Sequence, residues 1–203
     1  MNIGFAMCGS FCTYASVFPV MTALAREHNV IPILSEAAAT VDSRFGTAQE
    51  HLRLAGEICG TKPILTLEQA EPIGPKKLLD VLLIAPCTGN TLAKLAHSIA
   101  DGPVTMAAKS HLRNGRPVVI ALSTNDALAG AAENIGKLLG KKNYYFVPFG
   151  QDNALQKPCS LIADFRMLPE TVDTVNSSQA IAIPPHDLSY IVAQNSKYGN
   201  CYF

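Results

Sequence analysis

Leu79-Asp80-Val81-Leu82-Leu83-Ile84-Ala85-Pro86-Cys87-Thr88-Gly89-Asn90-Thr91-Leu92-Ala93-Lys94-Leu95-Ala96 is the stretch whose reading decides the fold. Leu79 to Ala85 is apolar and of strand length. Pro86 to Thr91 breaks the run with small and polar residues. Leu92 to Ala100 resumes with helical spacing. A strand that feeds a helix through a turn of Gly, Thr and Asn can build an anion or cofactor site. Small side chains let backbone N–H groups approach a ligand, and a helix N-terminus favours negative charge. Thr and Asn also cap helices with no ligand present, so the stretch alone leaves both readings open.

Working outward, the same strand–turn–helix grammar repeats. Asn2 to Met7 reads as a buried first strand, Cys8-Gly9-Ser10-Phe11 as its turn, and Thr13 to His28 as a helix with Val17, Val20, Met21 and Leu24 on one stripe. Val30 to Leu34 is a second strand. Ser35 to Gly46 is small and polar, a loop or short helical piece. Thr47 to Ile58 is an amphipathic helix with Leu52, Leu54, Ala55 and Ile58 facing inward, closed by Gly60. Pro63 to Leu67 reads as a short strand and Glu71 to Pro75 as a loop. Beyond the opening stretch, Pro103 starts a helix that runs to about His111. Pro117 to Leu122 is a strand, Asp126 to Leu139 a helix and Asn143 to Val147 a strand. Pro148 to Asn153 is a polar loop, and Cys159 to Val175 a last helix, kinked near Pro169. Residues 1–175 thus form one domain, and residues 176–203, with Pro184-Pro185 and no clear period, read as a C-terminal tail or arm.

Alternating strands and helices give an α/β, three-layer Rossmann-like sandwich with a mainly parallel sheet. Right-handed crossovers bring the carboxyl ends of the strands to one edge, where open α/β sheets bind ligands. Five loops meet there: Cys8-Gly9-Ser10, Ser35, Thr88 to Thr91, Ser123 to Asp126, and Phe149 to Asp152. All are small or polar, and their convergence predicts a cofactor or substrate site on that edge.

Composition narrows the ligand. Lys and Arg number 16 and Asp and Glu 16, so no net charge or basic tract points to nucleic acid. A weakly charged surface suits a subunit with buried faces, hence a homo-oligomer. The six cysteines are scattered, with no disulfide framework or zinc spacing, and no metal is expected. The apolar N-terminal run lacks a basic start and is interrupted by Gly4, Gly9, Ser10 and Pro19, unlike a signal peptide. No other run approaches membrane length, and a cytoplasmic protein is expected. Gly4-x-x-x-x-Gly9-Ser10 has the glycine spacing of a Walker A loop without its Lys, and the Gly-x-Gly-x-x-Gly dinucleotide pattern is missing. A mononucleotide such as FMN fits what remains.

Here the residues carry a resemblance. Gly9-Ser10-Phe11 before a helix is similar to the glycine-serine turn of the FMN-binding flavoprotein family that contains the cysteine decarboxylases. Pro86-Cys87-Thr88-Gly89-Asn90-Thr91 resembles that family's Pro-Ala-Ser-Ala-Asn-Thr motif. Pro117 to Asn125 takes the place of its Pro-x-Met-Asn segment. Asp42-Ser43-Arg44-Phe45-Gly46, Ala70 to Lys77 and Phe146 to Asn153 narrow the match to the B subunits of a two-subunit sporulation enzyme. That resemblance implies a flavoprotein fold, an NAD(P)-dependent A subunit as partner, and a small dicarboxylate substrate derived from the lysine pathway. In that reading the A chain transfers hydride, and this chain shapes the substrate pocket or helps dehydrate the precursor. The alternative is a stand-alone FMN-dependent decarboxylase or flavin-modifying transferase, and a blander one a scaffold that only stabilises its partner. Against decarboxylation, Ser35 to Glu50 lacks the His those enzymes carry after strand two, and Thr124 stands at the Met of Met-Asn.

The resemblance and the converging loops name the candidates. Gly9, Ser10, Phe11, Ser35, Thr88, Gly89, Asn90, Thr91, Ser123 and Asn125 are the cofactor-binding set, with Thr40 and Asp126 beside them. Asp126 reads equally well as a helix cap. Arg44, able to hold a carboxylate with two parallel hydrogen bonds, is the substrate-binding candidate. No residue is singled out as catalytic. Cys87 reads as packing, and Lys94, His97 and Asp101 as a side-chain ladder on one helix face.

Overall fold

A computed structural model of the chain describes residues 1–176. The expected tail, residues 176–203, lies outside the described residues save for its first.

Seven strands form the sheet among the described residues: β1 Asn2–Met7, β2 Asn29–Leu34, β3 Val81–Cys87, β4 Val118–Thr124, β5 Tyr144–Phe146, β6 Phe149–Gly150 and β7 Leu161–Ala163. The first five are parallel in the order β2-β1-β3-β4-β5. Near its carboxyl end β4 pairs antiparallel with β7, and β7 pairs antiparallel with β6. The β3–β4 register shifts between Ile84 and Cys87, at the start of the decisive turn.

Each strand alternates its side chains between two faces, and each face buries a core. Leu82, Ile84, Val118, Ile120 and Leu122 face α5 (Gly89–Ala96), α6 (Pro103–Leu112) and α7 (Ala132–Leu139), where Leu92, Ala107 and Leu138 meet them. Ile3, Phe5, Met7, Leu83 and Val119 face α1 (Tyr14–Glu27), α3 (Ala48–Cys59) and α8 (Leu168–Asn176), where Met21, Ala55 and Val172 meet them. The three-layer sandwich is therefore as the alternation predicts.

Several bounds differ from the sequence reading, each for a local reason. The helix after β3 begins at Gly89, three residues before Leu92, because Thr88 already caps it; it stops at Ala96 rather than Ala100, where Ser98 turns left-handed at φ 59°. The helix expected from Asp126 begins at Ala132. The carbonyl of Asp126 instead accepts the amides of Ala129 and Ala131, winding residues 126–131 into turns. Pro63 to Leu67 is no strand: Ile64 makes one bridge to Ile33, and Thr66 caps α4 (Leu67–Ala70) with a capping box to Gln69. Ser35 to Gly46 contains α2 (Glu36–Thr40). The expected loop at Phe149 is β6, and the expected helix from Cys159 is β7, a 3-10 turn at Phe165–Met167, and α8. Pro169 is the second residue of α8, where no backbone N–H is missed, so it starts a helix rather than kinking one. In α3 the buried residues are Ala48, His51 and Ala55, while Leu52, Leu54 and Ile58 are only half-buried.

Candidate functional site at the carboxyl edge of the sheet

The parallel register brings the ends of β1, β2, β3 and β4 to one edge, and hydrogen bonds tie their loops together. Cys8 N–H donates to Pro86 O at 3.2 Å and Ser35 N–H to Met7 O at 2.9 Å. The Cys8–Phe11 turn is held from beneath: Tyr14 Oη donates to Cys8 O at 2.9 Å and Thr13 Oγ1 to Ser10 O at 2.8 Å. Ser10 Oγ and Ser123 Oγ hydrogen-bond at 2.7 Å across 113 residues of sequence. Two members of the expected cofactor set are thus brought into direct contact.

At the β3 end, Thr88 Oγ1 accepts the amide of Thr91 at 3.3 Å and donates to Thr91 Oγ1 at 3.2 Å. Thr91 Oγ1 in turn lies 3.3 Å from Cys8 Sγ, beneath the turn. Burial pushes the Cys8 thiol up to about 11, against the opposing hydrogen bond from Thr91, and raises Cys87 as well. Both cysteines are buried neutral thiols, which agrees with a packing role for Cys87. Asn90 is exposed, and its side-chain amide has no hydrogen-bond partner among the described residues.

Gly89 faces the β4 loop. A Cβ there would stand 2.7 Å from Thr124 Oγ1 and 3.0 Å from Asp126 Oδ1. The glycine is thus required by packing between two loops. Thr124 Oγ1 donates a short hydrogen bond to the Asp126 carboxylate. Asp126 is no helix cap; its carboxylate lies at the start of α5, where it answers the partial positive charge of that helix end from within the chain. Asn125 is exposed, and its Oδ1 accepts from Ser160 Oγ at 3.4 Å.

On the β2 side the expected candidates make local hydrogen bonds. Ser35 Oγ accepts the Ala38 amide at 3.2 Å and caps α2, while Thr40, at the far end of that helix, is exposed and donates to Glu36 O at 2.8 Å. Neither is brought to Ser10 or Thr88 by a hydrogen bond. Arg44 lies exposed on a tight turn closed by Ser43 and Gly46, its guanidinium 4.8 Å above the Phe45 ring and without an ion-pair partner among the described residues. His51 was missed by sequence reasoning. It is 5% exposed, and its ring lies 6.2 Å from that of Phe11, stacked at 17°, with Tyr14 edge-on at 4.7 Å. The signal was present in the Ala48, His51, Ala55 spacing, which marks the true inward stripe of α3.

Elsewhere, polar side chains pair within the chain, and the expected ladder does not lie on one helix face, because α5 ends at Ala96 and leaves Asp101 in the loop beyond it. Lys94 pairs with Asp101 at 2.9 Å. Gln151 donates to Pro158 O at 2.8 Å, and Asp152 pairs with Lys157 at 3.1 Å. Among the described residues, no group of three or more His, Cys, Asp or Glu side chains is placed to hold a metal ion, and no helix is long and apolar enough to cross a membrane.

A parallel α/β sandwich with small, hydroxyl-rich loops gathered at its carboxyl edge is a frame on which open α/β proteins carry ligand sites, and the flavoprotein family model matches residues 1–160. The chain belongs to the flavoprotein family. Within it, the chain is 43% identical over 173 residues to the dipicolinate synthase B subunit of Bacillus subtilis (strain 168), covering 85% of this chain and 86% of that protein. The crystal structure of the dipicolinate synthase B subunit from Bacillus halodurans C superposes with a TM-score of 0.80 at 42% identity, over 89% of this chain and 93% of that one. The FMN-dependent cysteine decarboxylase SpaF shares the fold at a TM-score of 0.67 and 22% identity, over 87% of this chain and 95% of that one.

Proposed function

We propose that this chain is the B subunit of a cytoplasmic dipicolinate synthase. It works with an NAD(P)-dependent A subunit to form dipicolinate from a dihydrodipicolinate-type precursor during sporulation. The observation that carries the reading is the 43% identity over 85% of the chain to a protein of that name. Aromatising such a precursor removes two hydrogens. NAD(P) held by the A subunit would supply the hydride-accepting chemistry, with the accompanying proton released to a base or to water. This chain shapes the pocket, and Arg44, exposed on its turn with its guanidinium over the Phe45 ring and no ion-pair partner among the described residues, holds a substrate carboxylate. The dehydration role considered from the sequence belongs to the same pocket.

The edge also fits FMN. Gly9 lets the β1 turn pass close to Ala37, where a Cβ would stand 3.2 Å from the alanine methyl, Ser10 and Ser123 offer hydroxyls 2.7 Å apart, and Asn90 offers an amide with no partner among the described residues. The Asp126 carboxylate beside Gly89 repels a phosphate from the start of α5. The phosphate therefore belongs with Gly9, Ser10 and Phe11, and the polar edge of the ring with Thr88, Gly89, Asn90, Thr91, Ser123 and Asn125. When bound, the flavin supplies two-electron redox chemistry. The exposed Val41 and Phe45 on one side of this edge, and Leu128 and Leu155 on the other, support a homo-oligomer or a seat for the A subunit. The decarboxylase alternative gains nothing from the site, where His51 is packed among aromatic rings.

Titration of FMN into the purified chain, alone and with the A subunit, tests the cofactor reading. Asn90→Asp is expected to weaken FMN about tenfold, since a fixed charge replaces a neutral donor. Unchanged FMN affinity in that variant removes Asn90 from the site, and a wild-type chain that takes up no FMN in either state removes the cofactor.

A further inference from the structure

We propose that His51 is a positioning residue that clamps the Arg44 turn to the Phe11 turn, fixing the carboxylate-holding guanidinium relative to the cofactor loop. The inference rests on the reading of Arg44 and of Gly9–Phe11 as binding groups given above.

The Arg44 turn is closed on itself: Ser43 and Gly46 exchange backbone hydrogen bonds at 3.0 and 3.2 Å, and Phe45 N–H donates to Ser43 Oγ at 3.1 Å. Among the described residues, two of its bonds reach α3. Asp42 Oδ1 accepts the Ala48 amide at 2.9 Å, and His51 Nε2–H donates to Phe45 O at 3.3 Å. The carbonyl can only accept, so Nε2 carries the proton and Nδ1 presents a lone pair. That Nδ1 is buried and has no hydrogen-bond partner among the described residues. A position filled for packing alone would gain by replacing this ring with Leu or Phe, which bury no unpaired acceptor. What the imidazole adds over an apolar ring is the Nε2 donor to Phe45.

The same ring also packs against the aromatic side chains of the β1 turn and α1. His51 lies parallel to Phe11 at 6.2 Å, and Tyr14, which donates to Cys8 O, meets it edge-on at 4.7 Å. The ring therefore touches both the Cys8–Phe11 turn and the Arg44 turn. Gly46 belongs to the device. It sits at φ +126°, and a Cβ there would stand 2.8 Å from His51 Nε2. The glycine lets the turn close over the ring.

Amide hydrogen exchange on the full chain tests the clamp without any ligand. His51→Phe keeps an aromatic ring and removes the donor. It is expected to speed exchange at residues 43–46 about fivefold, the worth of one net hydrogen bond, while β1 to β4 stay protected. His51→Gln returns a donor close to the Nε2 position and is expected to restore slow exchange. Gly46→Ala, which pushes the turn off the ring with His51 intact, is expected to reproduce the loosening and serves if His51→Phe does not fold. Exchange unchanged in His51→Phe or Gly46→Ala, or as fast in His51→Gln as in His51→Phe, overturns the clamp. Dipicolinate titrated into the same proteins separates the two claims. A wild-type chain that does not bind it ends the reading of Arg44, while the exchange pattern still decides for or against His51.

Discussion

At the scale of single residues, Asp126 shows how a local signal is redirected by its neighbours. Its sequence context suits a helix cap, yet its carboxylate takes the Thr124 hydroxyl and lies against Gly89, and the helix starts six residues later, at Ala132. His111 is a second buried polar group whose role is structural. Its Nε2–H donates to Pro117 O at 3.0 Å, and burial holds its pKa down at about 4, outweighing that hydrogen bond. The folded pKa lies below the unfolded value, so the unfolded chain binds the extra proton. The contribution is present above pH 6.5 and is lost as pH falls toward 4. Urea unfolding at pH 7 and pH 5 is expected to show a loss on the order of 1–2 kcal/mol from this group. His111→Gln, which keeps the donor and cannot charge, flattens that part of the profile; an equal loss in both proteins contradicts the assignment. The cofactor candidates of the β1, β3 and β4 loops were legible one at a time because small polar residues follow apolar runs. The Ser10–Ser123 contact was not, because no local pattern reports on partners 113 residues apart.

At the scale of elements, capping chemistry fixes the helices around the site. Thr47 accepts the Glu50 amide, while Glu50 reaches back to the Thr47 N–H at 2.8 Å and so keeps its carboxyl below the usual range. Thr47→Ala is expected to cost about 1 kcal/mol of stability, read as a lower urea midpoint with an unchanged slope. A midpoint equal to wild type would mean that tertiary packing alone sets the start of α3. Long strands and amphipathic helices were readable from periodicity, and β1 to β4 fall within two residues of their expected positions. β6 and β7 have two and three residues, too few to show alternation, and exist because the end of β4 offers them backbone partners. The ends of α5 and α7 were misplaced for the reverse reason: Ala, Leu and Ile carry helical propensity through segments whose backbone bonds are taken by turns.

At the scale of the whole molecule, the fold was legible because five parallel strands, four of them largely buried, alternate with helices that can cover both faces. Parallel order then collects the loop chemistry on one edge without further instruction. The division of labour between this chain and the proposed A subunit was not legible in the same way. The edge brings together hydroxyl-rich loops, an exposed Arg44 and the aromatic contacts of His51, while the proposed function places the hydride acceptor on the A subunit. The most direct measurement is reconstitution: the rate of dipicolinate formation by the A subunit, followed as this chain is added. A rate that climbs with added chain and levels near equimolar amounts of the two proteins is expected. A rate that the A subunit alone already reaches, unchanged by any amount of this chain, contradicts the account.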